Sequence, residues 1–124
     1  MATALINWQQ LDSIGAVLGE ERTGGLLALY LQELAGNRAA VEAAIGRSDL
    51  GAAAAAAHSL AGASLNIGGQ AVASAAAHLE AVLAPRSGQG ASELHQALRD
   101  LDAAIGHTVA TLSARLPSRP LAAA

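Results

Sequence analysis

Residues 48–69 read SDLGAAAAAAHSLAGASLNIGG, and this stretch decides the fold class. Alanine has the highest intrinsic helix propensity, so the run from 52 to 57 predicts a helix. Ser48 is a suitable N-cap, and the two glycines at 68 and 69 are typical of a helix end. We therefore predict one helix that runs through the alanines and through His58.

The segment before this helix predicts a short first helix. Asn7 can serve as its N-cap, and Gln10, at the third helical position, would close a capping box. Ile6 and Leu11 have the spacing of a hydrophobic staple. This helix should end at about Gly19.

Three further helices complete the prediction. The second begins near Thr23 and ends at Gly46, with one apolar stripe formed by Leu27, Tyr30, Leu31, Leu34, Val41 and Ile45. The fourth spans roughly 70–84 and is stopped by Pro85. The last is marked by a stripe at Leu94, Leu98, Leu101, Ile105, Val109 and Leu112.

Short turns between helices of similar length favour antiparallel neighbours. We therefore expect an all-α fold, an antiparallel up-and-down four-helix bundle with an additional N-terminal helix. Residues 1–116 should form one domain, and residues 117–124 a flexible C-terminal tail.

The composition excludes several classes of function. The 124 residues include seven Arg, no Lys and ten acidic residues, and the formal charge is −3. A basic surface for nucleic acid is therefore not expected. There is no Cys, which excludes disulfides and thiolate chemistry. No apolar run approaches the ~20 residues of a membrane span, and the N-terminus does not resemble a secretory signal, so we expect a cytoplasmic location.

His58 is the residue most suggestive of chemistry. At about 100° per residue, it lies at the margin of the helix side that carries Leu50, Ala57, Ala61, Ser64 and Leu65, so solvent should reach it. Gly51, Ala55 and Gly62 surround it with very small side chains. Gly62 costs about 1 kcal/mol relative to alanine in a helix. It either clears an approach to the imidazole or lets a neighbouring helix pack closely.

The segment AHSLAGASLNIGG, residues 57–69, resembles the signature of histidine-containing phosphotransfer (HPt) domains, usually written Ala-His-x-Leu-Lys-Gly with a later Gly. The pair Leu79-Glu80 resembles a Leu-Glu pair of the same family. INWQQLDSIGAVLGEE and LLALYLQEL, with Tyr30 where the family usually has Phe, resemble its first two helices. The matching positions of the signature are Ala57, His58, Leu60, Gly62, Ser64 and Gly68.

The resemblance implies that His58 accepts a phosphoryl group from a receiver-domain aspartate and passes it to another receiver. The chain would be a phosphocarrier rather than an enzyme, with response-regulator receiver domains and a hybrid sensor kinase as partners. It would act as a monomer without a cofactor of its own, because Mg²⁺ is expected on the receiver. Gly62 would give clearance and Glu80 would orient the ring, unless Glu80 is an ordinary solvated glutamate. Docking residues would be Ala55, Ala61, Leu65 and Gly69.

One departure keeps a second interpretation open. The family usually has Lys where this chain has Ala61, so a positive charge expected near the phosphoryl group is absent. The chain could instead be an HPt-like adaptor that binds a receiver or kinase without carrying phosphate. A purely structural bundle is a more distant alternative. A metal site and a serine hydrolase lack the residue spacing that each requires.

Overall fold

The computed structural model describes residues 5–85 and 90–115, and all regular structure in these two ranges is helical. Five helices follow one another: α1 (Trp8–Leu18), α2 (Glu20–Gly46), α3 (Leu50–Ile67), α4 (Gln70–Leu83) and α5 (Ala91–Arg115). The predicted all-α class is therefore confirmed. The tail predicted for 117–124 lies outside the described residues, as do residues 1–4, 86–89 and 116 of the predicted domain.

Helices α2 to α5 form the bundle, with α3 packed between α2 and α4, and α5 packed on α4 and α2. The additional helix α1 lies against α2 and α3. The core is built from small and aliphatic side chains, with Tyr30 as its one aromatic group among the described residues. Close approach of the helices follows from the alanines at their contacts. None of the helices in the described ranges has the length and apolar character to cross a membrane.

The start of α1 is partly as predicted. Asn7 is the N-cap, and its side chain accepts a hydrogen bond from the backbone N–H of Gln10 at 3.1 Å. The predicted capping box is wrong, because the Gln10 side chain donates to the backbone oxygen of Leu65 at 2.7 Å. The Asn7 N–H donates instead to the oxygen of Gly68 at 2.7 Å. Both acceptors lie at the end of α3, where carbonyls lack partners within the helix.

The helix boundaries differ from the predictions by a few residues. Helix α2 begins at Glu20 rather than near Thr23, because Gly19, at φ 84°, makes the turn after α1. Asp49, and not Ser48, caps α3, and its carboxylate accepts from the N–H of Ala52 at 3.0 Å. Gly68 ends α3 in the left-handed conformation, as its position predicts.

The side of α3 that enters the core also differs from the prediction. Leu50 is 47% exposed and Leu65 is 61% exposed, whereas Ala57, Ala61 and Ser64, which the periodicity places on the same side of the helix, are buried. Most residues on the inner side are small, so the neighbouring helices pack close to α3. The core is therefore filled although Leu50 and Leu65 stay outside it. The buried residues of α3 are Ala53, Ala57, Leu60, Ala61, Ser64 and Ile67.

Candidate functional site

His58 projects from the middle of the outer face of α3. Its side chain is 76% exposed. The neighbouring residues Ala57 and Leu60 are buried in the core and fix the rotation of the helix, so the imidazole is directed outward. The predicted accessibility of His58 is confirmed.

Glu80 reaches His58 from the adjacent helix α4. Leu79 is completely buried, and its burial sets the rotation of α4 that brings Glu80 toward α3. The distance between His58 Nδ1 and Glu80 Oε1 is 3.2 Å. Glu80 is therefore a hydrogen-bond partner of the ring and not simply a solvated glutamate.

This hydrogen bond determines which ring nitrogen carries the proton. An ionised carboxylate can only accept, so Nδ1 of His58 is the donor in this contact. In a neutral imidazole the other nitrogen then holds a lone pair. In that neutral form Nε2 of His58 offers a lone pair on an exposed side chain, which is what a nucleophile requires.

Gly62 lies one turn after His58 on the exposed side of α3. A Cβ atom added at Gly62 would meet nothing within 4 Å. The alternative that this glycine permits close packing of a neighbouring helix is therefore wrong. The space above Gly62 is open, and Gly51 and Ala55 are also exposed on this side of the helix.

The four residues expected to form a docking surface are divided by the structure. Ala55 and Leu65 are exposed beside His58 on α3. Ala61 is only 9% exposed and belongs to the core, and Gly69 is buried at the turn between α3 and α4. For Ala61 and Gly69 the expectation is corrected, because both face the bundle interior rather than a partner.

A buried polar pair under the end of α3 was not foreseen. The hydroxyls of Tyr30 and Ser64 lie 2.6 Å apart inside the core. Burial raises the pKa of Tyr30, although the hydrogen bond between its hydroxyl and that of Ser64 opposes that shift. A Cβ atom at Gly69 would collide with the Tyr30 hydroxyl, so this pair explains the glycine. A serine on the predicted inner side of α3 was the available sequence signal, since a buried hydroxyl needs a partner.

No group of three or more His, Asp or Glu side chains in the described ranges is arranged to hold a metal ion. The candidate site therefore consists of a histidine, a carboxylate and the open space beside them. Such an arrangement can take up an electrophilic group on Nε2 and supports the ring from Nδ1.

Comparison with known proteins agrees with this geometry. The family model described as Hpt domain matches residues 25–114, which is more than half of the chain and includes His58, Gly62 and Glu80. Helix α1 lies before the matched residues. Searches of the curated proteins and of the solved structures find no match. The chain belongs to the Hpt domain family, whose members perform histidine phosphotransfer in two-component signalling.

Proposed function

We propose that this chain is a phosphocarrier in which His58 accepts a phosphoryl group from an aspartyl phosphate of one receiver domain and passes it to an aspartate of another. One observation carries the proposal: the exposed His58 ring is held through Nδ1 by Glu80, which leaves Nε2 free of that contact. Membership of the Hpt domain family supports the same chemistry.

The transfer needs only groups that the two proteins supply. The Nε2 lone pair attacks phosphorus and forms a P–N bond. The bond between phosphorus and the aspartate oxygen breaks, and the aspartate leaves as a carboxylate. The proton on Nδ1 stays in place, so the ring becomes cationic. The Glu80 carboxylate, 3.2 Å away, stabilises that charge as it develops. The return step is the reverse reaction with the carboxylate of a second receiver.

The receiver would contribute the rest of the catalytic site. We expect Mg²⁺ and the reactive carboxylates on that partner, and no cofactor on this chain. A receiver must bring its aspartyl phosphate close to His58; the exposed Ala55 and Gly62 are small, and the exposed Leu65 is uncharged. A modest apolar surface of this kind suits an encounter in which two receivers bind and leave in turn. We expect the chain to act as a monomer in the cytoplasm.

Phosphoryl transfer from a panel of radiolabelled, phosphorylated receiver domains tests the proposal. We expect acid-labile, base-stable label on the wild-type chain and none on His58→Gln. His78→Gln is the matched control, because His78 is an exposed histidine of α4 outside the contact between His58 and Glu80, and it should label normally. Equal labelling of wild type and His58→Gln would refute the proposal.

The adaptor alternative is favoured by one observation, the neutral Ala61 in place of the lysine usual in the family. It predicts that a receiver binds the chain without labelling it. In that case His58→Gln would bind the same receiver with unchanged affinity, and no member of the panel would transfer phosphate. A bundle with only a structural role would neither bind a receiver nor accept phosphate.

A further inference from the structure

The surface around His58 lacks charged side chains over an unusually long part of the chain. Residues 50–79 contain no Arg, Lys, Asp or Glu, and they include all of α3 and the first ten residues of α4. The first charged residue after this segment is Glu80, which contacts His58 and is acidic. The charged residue in contact with the imidazole is thus negative, as is Asp49, the charged residue closest to it in sequence.

Several arginines are paired at other places in the molecule. Arg38 forms an ion pair with Asp102 at 2.6 Å. Arg47 lies 3.9 Å from Asp49, before α3 begins. Arg115 lies 3.6 Å from Asp12 and stacks over the ring of Trp8. These contacts pair three of the five arginines of the described ranges with acidic residues other than Glu80.

The backbone near His58 offers no compensation. His58 lies in the middle of α3, and the N–H groups of a helix interior already donate to the carbonyls four residues earlier. His78 is two residues from Glu80, and that separation turns it by about 200° around α4, to the other side of the helix. Within α3 and α4, the charged group beside a phosphoryl group on His58 is therefore the Glu80 carboxylate.

We infer that no cation of this chain stabilises the phosphoryl group of phospho-His58, so that the equilibrium between phospho-His58 and a receiver aspartate lies further toward the aspartate than it would with such a cation. The inference rests on the proposed function and concerns the direction of transfer. A phosphoryl group with two negative charges is repelled by the Glu80 carboxylate, whereas a nearby cation would hold it. The chain would then act as a strong donor and a poor store of phosphate.

A lysine at position 55 supplies the missing charge. Ala55 is exposed and lies three residues before His58, a spacing that places the two side chains next to each other on α3. Ala55→Lys should therefore stabilise phospho-His58, and Ala55→Met is the uncharged control of similar length. We expect the lysine to shift the transfer equilibrium toward phospho-His58 by about 3- to 10-fold relative to the methionine, because the site is exposed and screened.

A measurement without a receiver separates this inference from the proposed function. The chain with His78, His95 and His107 replaced by Gln retains one histidine and can be phosphorylated with potassium phosphoramidate. The acid dissociation constant of the phosphoryl group is then followed by ³¹P NMR. In the single-histidine chain that keeps Ala55, we expect the acid dissociation constant of the phosphoryl group to equal or fall below that of free Nε2-phosphohistidine. The constant for Ala55→Lys should be about 3- to 10-fold higher than the constant for Ala55→Met.

A dissociation constant raised above that of free phosphohistidine in the chain with Ala55 would overturn the inference, since it would reveal a cation acting on the phosphoryl group. Arg86 lies outside the described residues, and Arg86→Ala would then show whether it is the source. Equal values for the lysine and methionine variants would also overturn it. Neither result depends on whether any receiver donates phosphate, so the proposed function is judged separately by the receiver panel.

Discussion

At the residue scale, Glu80 has two effects on His58 that different substitutions separate. Its carboxylate fixes the proton on Nδ1, and it stabilises the positive charge of the phosphorylated ring. We predict that Glu80→Ala slows phosphoryl transfer about 3- to 10-fold, because the pair is largely exposed to water. Glu80→Gln keeps a neutral hydrogen-bond acceptor, so its transfer rate should fall less than that of Glu80→Ala.

Nitrogen NMR of His58 checks the origin of this effect. Long-range ¹H–¹⁵N spectra should show the proton on Nδ1 in the wild type and a larger population of the Nε2-protonated ring in Glu80→Ala. A slower variant with an unchanged tautomer would mean that Glu80 acts only through the fold or through the receiver. Unchanged transfer rates in both variants would leave Glu80 without the role assigned to it.

Gly62 offers a second prediction at this scale. Because a Cβ at position 62 meets nothing within 4 Å, Gly62→Ala should stabilise the fold by about 1 kcal/mol. Gly62→Leu should also fold, but it should lower the rate of phosphoryl transfer from a receiver at least tenfold, because the leucine fills the space beside His58. Labelling of His58 by phosphoramidate, a small donor, should change far less in the leucine variant. Equal losses with both donors would contradict the clearance role.

Much of the site at this scale was predictable from the sequence. His58 and Gly62 are marked by the residue types of α3, Glu80 by the resemblance of Leu79-Glu80 to a pair of the family, and the structure brings the three to one place. Ala61 and Gly69 were misplaced because their burial depends on helix rotation and on a neighbouring helix. In an alanine-rich helix many rotations satisfy the hydrophobic pattern, so periodicity alone does not choose between them.

At the scale of elements, the turn between α3 and α4 depends on the fit between Gly69 and Tyr30. Gly69 has φ −78°, so an alanine there meets no backbone strain and fails only by collision with the Tyr30 hydroxyl. We predict that Gly69→Ala destabilises the fold by about 1–3 kcal/mol. Tyr30→Phe leaves the Ser64 hydroxyl unpaired and should cost about 1–3 kcal/mol.

Combining the two substitutions tests whether they act through one contact. In Gly69→Ala with Tyr30→Phe, the atom responsible for the collision is absent, so the double variant should be less destabilised than the sum of the single variants. Urea denaturation of the four proteins measures the coupling. Additive losses would show that the glycine is needed for another reason.

Helix α5 carries a buried hydroxyl whose removal should stabilise the protein. Thr108 is fully buried, and its Oγ1 has no hydrogen-bond partner in the described structure. Thr108→Val has nearly the same shape and removes the unpaired group. We predict a gain of about 1 kcal/mol in the free energy of unfolding, with Thr111→Val on the same helix, where the side chain is half-buried, as the control. A loss of stability in Thr108→Val would indicate a partner for the hydroxyl.

The ends of the helices show what local sequence rules omit. Asn7 and Gly68 cap their helices as predicted and α2 ends at Gly46 as predicted, since a helix end depends on one residue and its immediate neighbours. Gln10 fits a capping box equally well, but it binds the carbonyl of Leu65, 55 positions away. A tertiary acceptor of this kind has no trace in the local pattern of α1.

At the scale of the whole molecule, helix content and short connections were sufficient to predict the bundle. The order of the helices around the core follows from antiparallel neighbours. The pairing of Arg38 on α2 with Asp102 on α5 closes the bundle across 64 positions of sequence. It was not predictable, because many exposed charges on those two helices could have paired equally well.

The nitrogen that carries the phosphoryl group after transfer from a receiver tests the central claim most directly. Chain labelled with ¹⁵N at histidine is phosphorylated by the receiver that labels it best in the panel, and ³¹P and ¹⁵N NMR locate the bond. We predict a single phosphohistidine, at Nε2 of His58, with Nδ1 protonated and facing Glu80. Phosphate on another residue, or on Nδ1 of His58, would contradict the account.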